Sequence, residues 1–261
     1  MSHSAPWVIQ QSPSPFVAAA IHDGHHIRSD LRPYIALSND ARLREEDPQT
    51  GFWAAIAPTS IVGRRSRFEV DLNRPRERCV YIHPADAWGL RVWNEPLPEQ
   101  IIEESYALYD SFYAEVERLY ETLLSQHSHL VVFDLHTYNH RRKGPYASFE
   151  DELENPEVNL GTGTLDRSKW SGLIDRFKQD LSDYSYLSRR LDVRENVKFL
   201  GGQFASWSHQ KFENRICVLS IEFKKFFMDE WTGEVDVAQS EAIRQALEST
   251  VNGVCEELSR L

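Results

Sequence analysis

Apolar and polar positions follow two rhythms along this chain. "FVAAAI" (16–21) and "LVVFDL" (130–135) are near-continuous apolar runs, the pattern of strands covered on both faces. "ICVLSIEF" (216–223) is a longer run rich in β-branched residues. "RFEVDL" (67–72) alternates Phe68, Val70 and Leu72 with charged neighbours, so both segments are predicted strands. The helical rhythm occurs three times. Within 99–126, Ile102, Tyr106, Tyr109, Tyr113, Val116 and Tyr120 recur at steps of three and four. Trp170, Leu173, Ile174, Phe177 and Leu181 do so within 167–181, and Ile243, Ala246, Leu247, Val251, Val254 and Leu258 within 236–260. Buried strands separated by helices predict a three-layer α/β sandwich with a mixed, largely parallel central sheet. The Pro-, Gly- and charge-rich stretch 139–166 is predicted as a long loop, and loops of that length are often functional.

Composition narrows the picture. The 261 residues suffice for one large core, and a single domain over 1–261 is expected. A net charge of −11 argues against a nucleic-acid or anionic-membrane partner, yet leaves room for a local basic pocket that takes a small anion. The apolar runs fall far short of the ~20 residues of a membrane span. "MSHSAPWVIQ" lacks a basic segment followed by an apolar one, so no signal peptide is expected. Cys79, Cys217 and Cys255 are an odd count with no CxxC pair, which predicts free thiols in a reducing cytoplasm.

In α/β sheets, ligands sit beyond the carboxyl ends of the strands. After the first strand comes "HDGHH" (22–26), three of the ten histidines within five residues. It reads either as part of a metal site or as a wet, His-rich turn. After "RFEVDL" comes Asn73-Arg74, where Arg74 is either a surface arginine or the fork that clamps a carboxylate. After "LVVFDL" comes His136, with Asp134 on the same strand face. This is a satisfied core histidine or a zinc ligand oriented by a carboxylate. Glu222 interrupts an apolar run, where burial of a carboxylate is costly unless it is paired or functional. An ion pair to Lys224 or Lys225 competes with a role as general base. Catalytic zinc takes three protein ligands and keeps a fourth position open. Among Glu45, Glu46 and Asp47, Asp47 precedes Pro48 and suits a helix N-cap, which leaves Glu46 as the preferred third ligand. Asp47 itself, or a pairing of His22 with His25, remain alternatives.

"SRFEVDLNRPR" (66–76) closely resembles the SRF-x-x-DLNRP signature of the N-formylglutamate amidohydrolase family. Further matches follow in order. "IHDGH" resembles its strand followed by P-H-x-G, "FDLHTY" its D-x-H-S, "NLGT" (159–162) its NLGT and "FLGG" (199–202) its F-x-GG. "LSIEFKKFFMDE" (219–230) resembles its late strand with glutamate and an M-(D/N)-E ending. The resemblance implies a fold of the phosphorylase/hydrolase kind, similar to zinc carboxypeptidases and aspartoacylases. It implies one Zn2+ held by His22, Glu46 and His136, and Glu222 as base. Asn73 and Arg74 would meet the substrate carboxylate and oxyanion, and His25 and His26 would lie at the rim. Two departures matter. Family members carry Thr-Asp where this chain has Glu46-Asp47, and an Ile-Thr-Arg-His run where residues 203–209 read "QFASWSH". The arginine is missing and His209 is shifted, so the acyl amino acid is an open question. His209, with Arg141 and Arg142 after the second long strand, is expected to contact substrate, and His140 offers a further cationic contact.

The expected function is zinc-dependent hydrolysis of an amide bond in an N-acyl amino acid or short peptide. A carboxypeptidase-like or cell-wall-peptide hydrolase on the same scaffold, or an inactive metal-binding relative, are the alternatives.

Overall fold

The computed structural model describes residues 5–261. Seven strands form one sheet in the order β1-β3-β2-β4-β7-β5-β6. They are β1 (Trp7–Gln10), β2 (Phe16–Ala20), β3 (Thr59–Gly63), β4 (Leu130–Tyr138), β5 (Val158–Gly161), β6 (Val193–Glu195) and β7 (Ile216–Lys224). The four central strands β3, β2, β4 and β7 run parallel; β1 pairs antiparallel with β3, and β5 with β7. The sheet is mixed and largely parallel, with helices on both sides, as the rhythms predict.

Two of the predicted helices, α4 (Ser171–Asp183) and α6 (Val237–Leu258), cover one face of the sheet. α6 begins where the Asp236 side chain accepts the Gln239 N–H, a cap that satisfies one of the helix's unpaired donors. Phe177, Leu181, Ile243 and Leu247 pack there on Phe133, Leu135, Leu219 and Ile221, all buried. The third, α3 (Glu99–Leu124), covers the other face together with a short helix α5 (Gln203–Lys211). There Phe112, Val116, Tyr120 and Phe204 pack on Val17, Ala19, Val132 and Val218.

Because side chains alternate along a strand, the second face continues from Val132 to Asp134 and His136, and from Val218 to Ser220 and Glu222. This face is apolar near the strands' amino ends and polar near their carboxyl ends. In the parallel ladder, Asp134 lies opposite Ser220 and His136 opposite Glu222.

The segment 67–72 departs from the prediction. It forms turns and no strand, although Phe68, Val70 and Leu72 are buried as the alternation requires. The intervening acids explain why. Glu69 accepts the Arg28 N–H at 2.8 Å and Asp71 is drawn to His22 at 2.8 Å. The backbone is engaged locally as well: the Glu69 N–H donates to the Ser66 carbonyl at 2.9 Å and the Asp71 N–H to the Cys79 carbonyl at 2.7 Å, which leaves no continuous edge for a neighbouring strand. The short strands β1, β3, β5 and β6 carry too little pattern to stand out in the sequence. The long loop 139–166 is interrupted by β5 alone.

Candidate active site and metal centre

β2 ends at Ala20, and the chain turns at once so that His22 faces the second sheet face. Gly24 permits this turn, since a Cβ there would lie 2.3 Å from the Arg64 backbone. β4 delivers His136. Between them stands Asp47, whose Oδ2 lies 2.9 Å from His136 Nδ1 and 3.4 Å from His22 Nδ1. Ligand atoms of the three residues lie within 4.8 Å of one another, and all three residues are buried.

The other nitrogen of each ring is engaged. His22 Nε2 faces Asp71 Oδ1 at 2.8 Å, and His136 Nε2 faces Asp134 Oδ1 at 2.9 Å. A proton on each Nε2 donated to these carboxylates leaves both Nδ1 lone pairs directed at Asp47, the tautomer that metal-binding histidines adopt. Thr137 Oγ1 donates to Asp47 Oδ1 at 3.1 Å and orients that carboxylate. His22 Nδ1 is buried without a hydrogen-bond partner. An orphaned imidazole nitrogen beside a carboxylate and a second imidazole is a donor set that fits zinc.

The electrostatics agree. Burial would push the Asp47 carboxyl up, but hydrogen bonds from His136 and His22 hold it far below the usual range. Burial would push His136 down, but Asp134 and Asp47 raise it well above an ordinary histidine. The cluster is a concentration of negative charge that protons share when no cation is present.

Asp47, and not Glu46, occupies the cluster, which corrects the expectation. Helix α1 (Asn39–Glu45) ends at Glu46 in extended backbone, so the two acids point to opposite sides. The Asp47 N–H donates to the His22 carbonyl at 3.0 Å, which seats Asp47 beside that histidine. Glu46 turns away to His25, Ser66 and Arg42. His25 is therefore Glu46's partner, and its pairing with His22 does not form. Nor does Asp47 cap a helix: α2 (Thr50–Trp53) starts after Gln49, and the Asp47 carbonyl, not its carboxylate, receives the Thr50 bonds.

The cluster opens on a cavity of about 330 Å³ lined also by Glu222, Asn73, Arg74, Arg67, Arg142 and Lys225. Glu222 has no cation within ion-pair distance among the described residues. Lys224 donates to the Asn155 carbonyl, and Lys225 to the carbonyls of Arg44 and Glu46 at 2.5 and 2.7 Å. The structural pairing considered for Glu222 is thus absent. Burial raises its carboxyl to about 8, with His136 opposing. Asn73 Oδ1 accepts the Phe204 N–H at 2.9 Å, and Gly202 permits the approach because a Cβ would lie 2.3 Å from that amide. Arg74 is about one-third exposed and only loosely held by Asp71, at 3.9 Å.

Arg142 reaches the cavity and pairs with Glu45 at 3.1 Å. Three other expected contacts do not. Arg141 binds Asp229 at 2.6 Å and lines a neighbouring cavity, as does His140. His209 faces inward from α5. Its Nε2 accepts the Val218 N–H at 3.0 Å, its Nδ1 meets the Thr164 carbonyl at 2.8 Å, and burial lowers it to about 4. It is a satisfied core histidine tying α5 to β7, and its shift along the sequence carries it off the cavity.

Sequence reasoning missed Asp71, Arg67 and Lys225. Asp71 is the aspartate of DLNRP, and that motif is the signal by which it can be found. The NLGT segment also finds its reason here. Asn159 Oδ1 accepts the N–H groups of Val197 and Lys198 at 3.0 and 2.8 Å, and its Nδ2 donates to the Phe199 carbonyl at 2.8 Å. That amide shapes the 197–202 loop that walls the cavity.

The family model of the N-formylglutamate amidohydrolases matches residues 14–228. An N-formylglutamate amidohydrolase from Ralstonia eutropha JMP134 shares the fold, with a TM-score of 0.74 at 17% identity over 97% of both chains. A gene product of Agrobacterium tumefaciens does so with a TM-score of 0.68 at 16% identity over 97% of this chain and 96% of that one. No curated protein matches the sequence significantly. With the family model spanning most of its length, this chain belongs to the N-formylglutamate amidohydrolase family.

Proposed function

We infer that the protein is a zinc-dependent hydrolase that cleaves the amide bond of an N-acyl amino acid. The observation that carries this reading is the buried His22–Asp47–His136 cluster, with its outward ring nitrogens engaged by carboxylates and Glu222 beside His136 in the sheet register. Zinc held there would supply a Lewis acid for the scissile carbonyl and would lower the pKa of a water toward ~7. Glu222 takes the proton of the attacking water and delivers it to the leaving amine. Burial holds its carboxyl at about 8, and a divalent cation nearby favours the ionised form that a base needs. Arg74 offers a guanidinium fork to the substrate carboxylate or to the developing oxyanion. Asn73 is held in place by α5 beside it. Free Cys79, Cys217 and Cys255 support a cytoplasmic setting. No helix of the described residues is long and apolar enough to cross a membrane.

The test is elemental analysis together with a panel of N-acyl amino acids and of peptides with free C-termini. One zinc per chain and preferred cleavage of the N-acyl amino acids are expected. Asp47→Ala should lose more zinc than Glu46→Ala. Faster turnover of peptides would favour a carboxypeptidase-like activity, and a zinc-loaded protein that cleaves neither would be a metal-binding relative without catalysis.

A further inference from the structure

The metal-cluster cavity does not end at its mouth. A second cavity of about 410 Å³ shares with it Glu45, Trp88, Arg142, Lys198 and Phe199, and adds only Arg44 and Leu90. Five of its seven lining residues are common to both, so the two spaces adjoin along one wall. A formyl group needs none of this outer room.

The chemistry of the outer room is specific. Trp88, Leu90 and Phe199 are apolar, while Arg44, Arg142 and Lys198 are cations. The one acid, Glu45, is divided between two guanidiniums, at 3.1 Å from Arg44 and 3.1 Å from Arg142. Net positive charge beside apolar surface suits a ligand with an apolar body and an acidic end.

Trp88 is the most telling residue. It sits at φ 53°, in the left-handed region that a bulky side chain rarely adopts. The residue is 43% exposed, with Arg67 4.9 Å and Arg142 5.7 Å from the ring centroid. Glycine would hold this turn with less strain, so the indole is kept for what it does at the mouth. None of Asn73, Arg74, Gly201 and Gly202 lines the outer cavity. With the amino-acid carboxylate on the Arg74 wall, the acyl half of the substrate points the other way.

We propose that this outer cavity is an acyl-binding vestibule, with Trp88 as its platform and Arg142 as its anion contact, and that the preferred substrate carries a long acyl group ending in a carboxylate. The proposal rests on the amide-hydrolase reading and narrows it. It is tested with zinc-loaded protein on N-formyl-, N-hexanoyl- and N-adipoyl-L-glutamate. The order adipoyl, hexanoyl, formyl in kcat/KM is expected. Trp88→Ala should compress the adipoyl-to-formyl ratio about tenfold, mainly through KM, and Trp88→Phe should keep most of it. Arg142→Gln should compress the adipoyl-to-hexanoyl ratio and spare the hexanoyl-to-formyl ratio. Unchanged ratios in Trp88→Ala, or a wild type that prefers formyl, would overturn the proposal. If the wild type cleaves none of the three, the hydrolase reading fails and calorimetric binding decides the vestibule. The mono-N-methylamide of adipic acid should then bind the wild type, with about tenfold weaker binding to Trp88→Ala. No binding, or equal binding to both proteins, would sink it.

Discussion

The two faces of the sheet are made from the same strands and differ in one respect. On the face under α4 and α6, β4 and β7 present Val131, Phe133 and Leu135, and Cys217, Leu219, Ile221 and Phe223, without a polar interruption. On the face under α3 and α5, they present Leu130 and Val132, and Ile216 and Val218, and then change to Asp134, His136, Ser220 and Glu222. One face is given to packing as far as Leu135 and Phe223, and only at its carboxyl end does Thr137 offer a hydroxyl to Asp47. The other packs at the amino end and does chemistry at the carboxyl end. Burying carboxylates and imidazoles is costly unless each finds a partner. On this face the partners are one another, and the rigid apolar layer behind the sheet holds them in register.

The comparison yields separable effects along adjacent residues. The largest is expected at Glu222. Glu222→Gln keeps the shape and removes the base, so kcat should fall on the order of 10²–10⁴ while zinc content and unfolding midpoint stay as in the wild type. Zinc loss in this variant would make Glu222 a ligand.

One strand away, Leu135 points to the packing face. Leu135→Ala should cost about 2–5 kcal/mol in chemical denaturation and leave zinc affinity unchanged. If zinc binding fell in step with stability, the faces would not be independent.

His209 sharpens the boundary between them, since it lies on the chemical face and is used for packing. Its folded pKa of about 4 is below that of an unfolded histidine, near 6.5. Between these values the unfolded chain binds the proton and the folded chain does not, so stability rises with pH across this window and is lost on acidification. The loss attributable to His209 is expected to reach roughly 3 kcal/mol by pH 4. Metal-free wild type and His209→Asn, unfolded by denaturant at pH 7 and at pH 4, should differ by that amount in the stability lost between the two. Parallel curves would remove His209 from the account.

The smallest effect is expected at Asp134, which holds His136 from behind. Asp134→Asn should weaken zinc about 10–100-fold in chelator competition. An unaltered affinity would mean that His136 needs no carboxylate to orient it.

Much of this was legible in the chain itself. The continuous apolar runs marked β2, β4 and β7, and steps of three and four residues marked α3, α4 and α6, because strand and helix periods are local consequences of backbone geometry. The rule that ligands gather past strand ends then led to His22, His136 and Glu222, and Asp134 was read as a companion of His136 from strand alternation alone. The signature around DLNRP led to the family.

Tertiary structure decided the rest. Glu46 and Asp47 are adjacent acids, equivalent as ligands on paper. Which one faces the histidines depends on the helix end that turns them apart, on Arg42, His25 and Ser66 drawing Glu46 back, and on the Asp47 N–H bonding the His22 carbonyl. Residues 67–72 alternate like a strand, yet form turns, because the Glu69 and Asp71 N–H groups donate to the Ser66 and Cys79 carbonyls while their side chains bind Arg28 and His22. His209 is polar and near the family's substrate loop, yet the Val218 N–H and the Thr164 carbonyl claim both of its nitrogens. Periodicity is written into neighbouring residues. The direction of a single polar side chain is set by partners tens of residues away, because a buried polar atom goes to whichever distant group satisfies it.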